Sequence, residues 1–174
     1  MNAATRVPQS RAIASGLRPR RAGRCSQRAQ AFGVTPEYGY VVSTVGAAAI
    51  ALQYMAVKVA LARRAAGVEY PAMYADGTDE ASNVFNCTQR GHQNTLEGYP
   101  MFIASVLVMG LRFPVPAAIL SAIYLVARIG YFEAYSTGEP RKRAPWFGAC
   151  SIANLGAAVG TIAAGASAAG ILPF

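Results

Sequence analysis

Charge is scarce in this chain of 174 residues. Asp, Glu, Lys and Arg make up 14% of it, against about 25% in ordinary soluble domains. With 53% apolar residues it is too hydrophobic to be a disordered chain. Its three cysteines (Cys25, Cys87 and Cys150) are odd in number and far apart, which excludes a disulfide scaffold. One histidine, His92, without paired cysteines makes no metal-ligand set, so no metal is expected. No phosphate loop with its lysine is present, and no Ser-His-Asp set can be assembled. Acidic residues are missing altogether from residues 1–35.

What charge there is sits unevenly. The formal net charge is +8, but residues 1–35 hold seven arginines: Arg6, Arg11, Arg18, Arg20, Arg21, Arg24 and Arg28. From residue 36 onward the net charge is only +1. No basic stripe with interleaved aromatics marks a nucleic-acid surface, so no nucleic-acid partner is expected. An Arg-, Ala- and Ser-rich extension without acids fits a mitochondrial or plastid targeting peptide, and otherwise a basic tail touching anionic lipid.

The remaining 139 residues contain four apolar stretches: Tyr40–Leu61, Asn83–Leu111, Pro116–Tyr135 and Trp146–Leu172. About 20 helical residues cross a hydrocarbon core of about 30 Å, and each stretch reaches that length. The stretches are rich in Ala and Leu and lack period-two alternation, which argues against strands. A soluble four-helix bundle would need charged outer faces, and the first and fourth stretches have none. The expected fold is therefore all-α, with four transmembrane helices in one domain, residues 36–174. In the last stretch 14 of 27 residues are Gly or Ala, and Gly156 and Gly160 form a small-xxx-small pair that lets a neighbour approach closely. Pro114 and Pro116 mark a tight link between the second and third helices. Lys58, Arg63, Arg64, Arg90 and the Arg141-Lys142-Arg143 cluster lie in or near the links Arg63–Ser82 and Ser136–Pro145, which places those links on the cytoplasmic side.

Ionisable groups inside membrane spans are costly and hence functional candidates. Arg90, Asn94 and Glu97, spaced by four and three, share one face of the second helix. Arg128, Tyr131 and Tyr135, spaced by three and four, share one face of the third. Together they predict a polar pocket between helices near one membrane surface. Arginine clamps carboxylates bidentately and Glu97 can hold an ammonium, so a ligand bearing both groups fits. A set of interhelical salt bridges is the alternative. Asn86-Cys87-Thr88 also matches a glycosylation acceptor, on a side where none is expected. Cys87 and Cys150 fall near the membrane interfaces, where lipidation or plain burial applies.

The run Phe85-Asn86-Cys87-Thr88-Gln89-Arg90-Gly91-His92-Gln93-Asn94-Thr95-Leu96-Glu97-Gly98-Tyr99-Pro100 resembles the second-helix signature of the MAPEG family, membrane-associated proteins of eicosanoid and glutathione metabolism. Glu37-Tyr38-Gly39-Tyr40, Val68-Glu69-Tyr70-Pro71-Ala72-Met73-Tyr74 and Tyr135-Ser136-Thr137-Gly138-Glu139-Pro140 agree with it, most closely with its microsomal glutathione transferase 3 branch. The resemblance covers roughly residues 36–172. It implies a homotrimer of four-helix subunits with glutathione, the co-substrate, bound between neighbours. It also implies conjugation of glutathione to lipophilic electrophiles, as in leukotriene C synthesis, and reduction of lipid hydroperoxides. By the same resemblance Arg63, Arg90, Asn94, Glu97, Tyr131 and Tyr135 bind the tripeptide, and Arg143, Arg141 and Arg64 serve the chemistry. An ungapped alignment puts Lys142 at the thiol-activating position, and one inserted residue puts Arg143 there. Gly98 stands where leukotriene-C-forming members have a tyrosine. A non-catalytic member of the fold that presents lipid to a partner, like the 5-lipoxygenase-activating protein, is the alternative. The implied location is the endoplasmic reticulum or the mitochondrial outer membrane, with a plastid membrane left open by the basic extension.

Overall fold

The structure is a computed structural model that describes residues 34–172. The targeting reading of the basic extension lies outside the described residues, apart from residues 34 and 35. Four α-helices account for most of the rest: α1 (Tyr38–Ala65), α2 (Glu80–Arg112), α3 (Pro114–Tyr135) and α4 (Ala144–Ala168). A 3₁₀ turn, Pro140–Arg143, precedes α4, and no strand occurs among the described residues.

Local chemistry sets the helix ends. At the close of α1, Gly67 adopts φ 63° and its N–H meets the Arg64 carbonyl, while the Val68 N–H meets that of Arg63. Gly170 (φ 71°) closes α4 in the same way, through Ser167 and Ala166. Both are Schellman ends, and both use glycine because a Cβ is disfavoured at positive φ. Asp79 caps α2 by accepting from the Ser82 N–H at 3.0 Å and the Ser82 hydroxyl at 2.6 Å. Those two bonds, the hydroxyl's first, hold its carboxyl below the usual range.

The expected boundaries shift in three places. α1 runs a turn further, so that Arg63 and Arg64 belong to its last turn. α4 begins at Ala144 and ends at Ala168, before Gly170. The link between α2 and α3 shrinks to Phe113, because Pro114 and Pro116 lie inside the first turn of α3. Proline is accommodated there, where the amides have no intrahelical acceptor to lose.

α2 and α3 form the centre, since each packs on the other and on both α1 and α4. The shared core includes Val41, Phe102, Val106, Met109, Ala117, Tyr124, Cys150 and Ala157. Phe102 and Tyr124 stack with ring centroids 3.6 Å apart. The Gly156 and Gly160 pair is filled from within the chain, by Leu120 of α3 and Met109 of α2.

Three helical segments are long and apolar enough to cross a membrane: α1, α3, and α4 with its preceding turn. α2 is the longest helix but does not meet that measure, so three of the four expected spans reach it. Its first half carries the polar residues of the site and its second half the apolar core. The outward faces of α1 and α4 expose Ile50, Val57 and Leu61, and Ile152, Leu155 and Ile162, as suits lipid rather than water.

Candidate functional site

A cavity of about 410 Å³ opens between α2, α3 and the start of α4. Its walls are Arg90 and Asn94 from α2, Tyr131 and Tyr135 from α3, Arg143 from the 3₁₀ turn, and Ala144 and Phe147 from α4. The helical spacing read from the sequence explains the first four. Phe147 follows Arg143 by one helical turn and joins the same wall, a spacing that could have been read and was not.

The cavity is rich in cations and hydrogen-bond donors. Arg90 pairs with Glu97 at 2.9 Å, both side chains about half exposed (43% and 50%), so the pair stays open to exchange partners. Arg143 donates through Nη1 to the Tyr131 hydroxyl at 3.3 Å and lies over the Tyr135 ring, 4.1 Å from its centroid. Tyr131 and Tyr135 meet edge to face at 5.9 Å. Behind this wall Arg128, almost wholly buried, donates to Asn94 Oδ1 at 3.0 Å and to the Tyr124 hydroxyl at 3.2 Å. Arg90, Asn94, Tyr131 and Tyr135 of the expected polar pocket thus line one cavity, while Arg128 lies behind its wall and Glu97 joins it through Arg90.

Of the nine site residues named from the sequence, the structure gathers Arg90, Asn94, Tyr131, Tyr135 and Arg143 on the cavity wall, with Glu97 attached through Arg90. The other three lie apart within the chain. Arg63 is 9% exposed, donates to the Ala72 carbonyl at 2.6 Å, and sits between the Tyr70 and Phe85 rings at 4.6 and 4.9 Å. It pins the connection after α1. Arg64 and Arg141 are exposed and off the wall, and Lys142 turns away to Glu139 at 2.6 Å.

Other sequence features resolve locally. The Asn86 side chain is bonded in both directions to the backbone of Ala75, at 2.8 and 2.9 Å, within the glycosylation-like pattern. Cys87 is buried against Tyr131 and Tyr135, and Cys150 in the main core. His92 is not on the cavity wall. A second polar cluster escaped the sequence reading: Glu133 accepts from the Tyr54 hydroxyl and from Lys58, both at 2.6 Å, across α1 and α3.

The fold and this site together define a class: an all-α integral membrane protein with a cationic, donor-lined cavity between its helices. The chain belongs to the MAPEG family, whose profile matches residues 41–163. Among curated relatives it is similar to the leukotriene C4 synthase of Mus musculus, at 33% identity over 109 residues, 62% of this chain and 69% of that protein. It is similar to the Bos taurus leukotriene C4 synthase at 33% over 95 residues, 54% and 59% of the two chains. The Rattus norvegicus protein matches at 32% over 109 residues, again 62% and 69%.

Proposed function

We propose that this chain is a membrane glutathione transferase that conjugates glutathione to lipophilic electrophiles and reduces lipid hydroperoxides. The observation that carries the reading is the cavity bordered by Arg90, Asn94, Tyr131, Tyr135 and Arg143. Its volume falls in the range of roughly 300–1,000 Å³ usual for small-molecule sites. Its cations suit a tripeptide with two carboxylates, and Glu97 is available to the ammonium. The leukotriene C4 synthases among its relatives support a transferase acting on a lipid.

The chemistry follows from the donor set. A free thiol has a pKa of about 8.5 and is mostly protonated at neutral pH. A neighbouring guanidinium stabilises the thiolate, which is the nucleophile. Arg143 has the position for this task, held by Tyr131 and Tyr135. With an epoxide, the thiolate forms a C–S bond as the C–O bond opens, and the alkoxide takes a proton. With a hydroperoxide it attacks the outer oxygen. The alcohol departs, and a second glutathione reduces the sulfenic acid to disulfide and water. The co-substrate brings the sulfur, so neither Cys87 nor Cys150 is needed.

Arg63, Arg64 and Arg141 do not reach the cavity of their own subunit. In the proposed homotrimer Arg64 would complete a neighbour's site, while Arg63 is committed to its own connection. The endoplasmic reticulum or the mitochondrial outer membrane remains the proposed location. The deciding test is a titration of purified protein with glutathione, following thiolate absorbance across pH. A glutathione-dependent thiolate with a pKa well below the free value is expected. No binding would leave lipid presentation without catalysis as the better reading.

A further inference from the structure

Arg128 is a buried cation with no acid beside it. It lies seven residues from the end of α3, roughly 10 Å into the helix at about 1.5 Å per residue. It is 7% exposed. Among the described residues no carboxylate lies within 4 Å of it. Glu97 faces Arg90, and Glu133 accepts from Lys58 and Tyr54. Its Nη1 and Nη2 are used by Asn94 and Tyr124, while its buried Nε has no acceptor. Two ring faces, those of Tyr124 and Tyr131, lie 5.2 and 5.1 Å from the guanidinium carbon. Burying a guanidinium with so little compensation is costly, and a hydrophobic residue of similar length would pack here without that cost. The arrangement calls for a reason beyond packing.

We propose that Arg128 is a positioning residue that acts through Asn94 and fixes which end of its amide faces the cavity. The inference rests on reading that cavity as the glutathione site. A guanidinium has five N–H donors and no acceptor. The Asn94 atom at 3.0 Å from Nη1 is therefore the oxygen, on chemical grounds alone. That leaves Nδ2, with its two N–H groups, for the cavity that Asn94 lines. Asn94 thus offers donors and no acceptor, and the group it takes is a carboxylate or amide oxygen of the tripeptide. Without Arg128 the amide is free to turn about its terminal torsion, which is broad and two-fold. Turned over, its oxygen would face the same carboxylate and repel it. Tyr124 holds the guanidinium from the other side at 3.2 Å, so Arg128 cannot follow Asn94 if the amide moves.

The test is a double-mutant cycle on the full chain purified in detergent, with glutathione binding read by calorimetry. The four proteins are the unmodified chain, Arg128→Met, Asn94→Ala and the double variant. Each single change is expected to weaken binding about tenfold, the scale of one lost charge-assisted hydrogen bond. Adding Arg128→Met to Asn94→Ala is expected to cost less than about twofold more, because the two act as one unit. Arg128→Gln, neutral but still able to donate to Asn94 Oδ1, is expected to stay within about threefold of the unmodified chain. Additive losses in the cycle, or Arg128→Gln as weak as Arg128→Met, would overturn the inference. If Arg128→Met does not purify folded, the cycle is run with Arg128→Leu, and Arg128→Gln is judged against that chain. Failure of the unmodified chain to bind overturns the glutathione reading and this inference with it. Binding by the unmodified chain with an additive cycle overturns this inference alone.

Discussion

Replacing Arg143 with Met should remove thiol activation while leaving the protein folded and able to bind glutathione. The guanidinium stands on the cavity wall, 3.3 Å from the Tyr131 hydroxyl and 4.1 Å from the Tyr135 centroid. A sulfur resting in that cavity would lie about 5 Å from it. With an effective dielectric of about 20, the attraction is about 3.3 kcal/mol, or about 2.4 pKa units. A thiol of pKa about 8.5 would then titrate near 6 in the unmodified protein. At pH 7 it would be about nine-tenths ionised, against about 3% in Arg143→Met. The turnover rate at saturating glutathione should fall roughly thirtyfold at pH 7, and by less than about twofold at pH 9, where both thiols are ionised. The assay is kcat against pH with an activated aryl halide, beside ultraviolet titration of the bound thiolate. Arg141→Met and Lys142→Met, whose side chains point elsewhere, should stay within about twofold of the unmodified chain. A loss in Arg143→Met that is the same at all pH values, or an unchanged thiolate pKa, would refute the reasoning.

Three further outcomes are expected. Arg90→Gln and Glu97→Gln should each weaken glutathione binding at least about tenfold with little change in melting temperature, because a half-exposed ion pair contributes no more than about 1 kcal/mol to stability. Arg63→Met should destabilise the connection after α1 by about 2 kcal/mol, through the lost bond to Ala72 and the lost contact with the Tyr70 and Phe85 rings; limited proteolysis between residues 66 and 79 reads this out, and unchanged cleavage counts against the anchoring role. Gly160→Val should cost about 1–3 kcal/mol, because the Met109 side chain occupies the space a Cβ needs, and the melting temperature in detergent should drop accordingly.

The helices and much of the site were legible in the sequence because both obey helical periodicity. Arg90, Asn94, Tyr131 and Tyr135 could be placed on two facing stripes from spacing alone, and these stripes do meet. Residues that depend on how a chain turns between helices were not legible. Arg63 ends its helix beside a Schellman glycine, and the chain that follows folds back so that Ala72 captures its guanidinium. Nothing in the local sequence fixes that return. Lys58 is the sole charge between Tyr40 and Leu61, and its partner, Glu133, is 75 residues away on another helix. Pairing across helices depends on their relative rotation, which one-dimensional spacing does not carry.

The run Arg141-Lys142-Arg143 was ambiguous for a different reason, and the 3₁₀ turn sets which of the three faces the cavity. Three residues per turn rotate consecutive side chains by about 120°, so only one of three neighbours can face a given wall. Residues three apart eclipse each other, which is why Lys142 stands over Glu139 and pairs with it at 2.6 Å. That contact sets the phase. Arg141 is left outward, and Arg143 turns towards Tyr131 and Tyr135. The ungapped sequence alignment would hand the same chemistry to a lysine already paired elsewhere. The phase argument makes its own prediction. Lys142→Arg combined with Arg143→Ala moves the guanidinium back by one position. It should ionise the bound thiol no better than Arg143→Ala alone, since the transplanted side chain points about 120° away from the cavity. Recovery of the lowered thiolate pKa in that double variant would show that any cation on the turn suffices, and that the orientation of Arg143 carries no special weight.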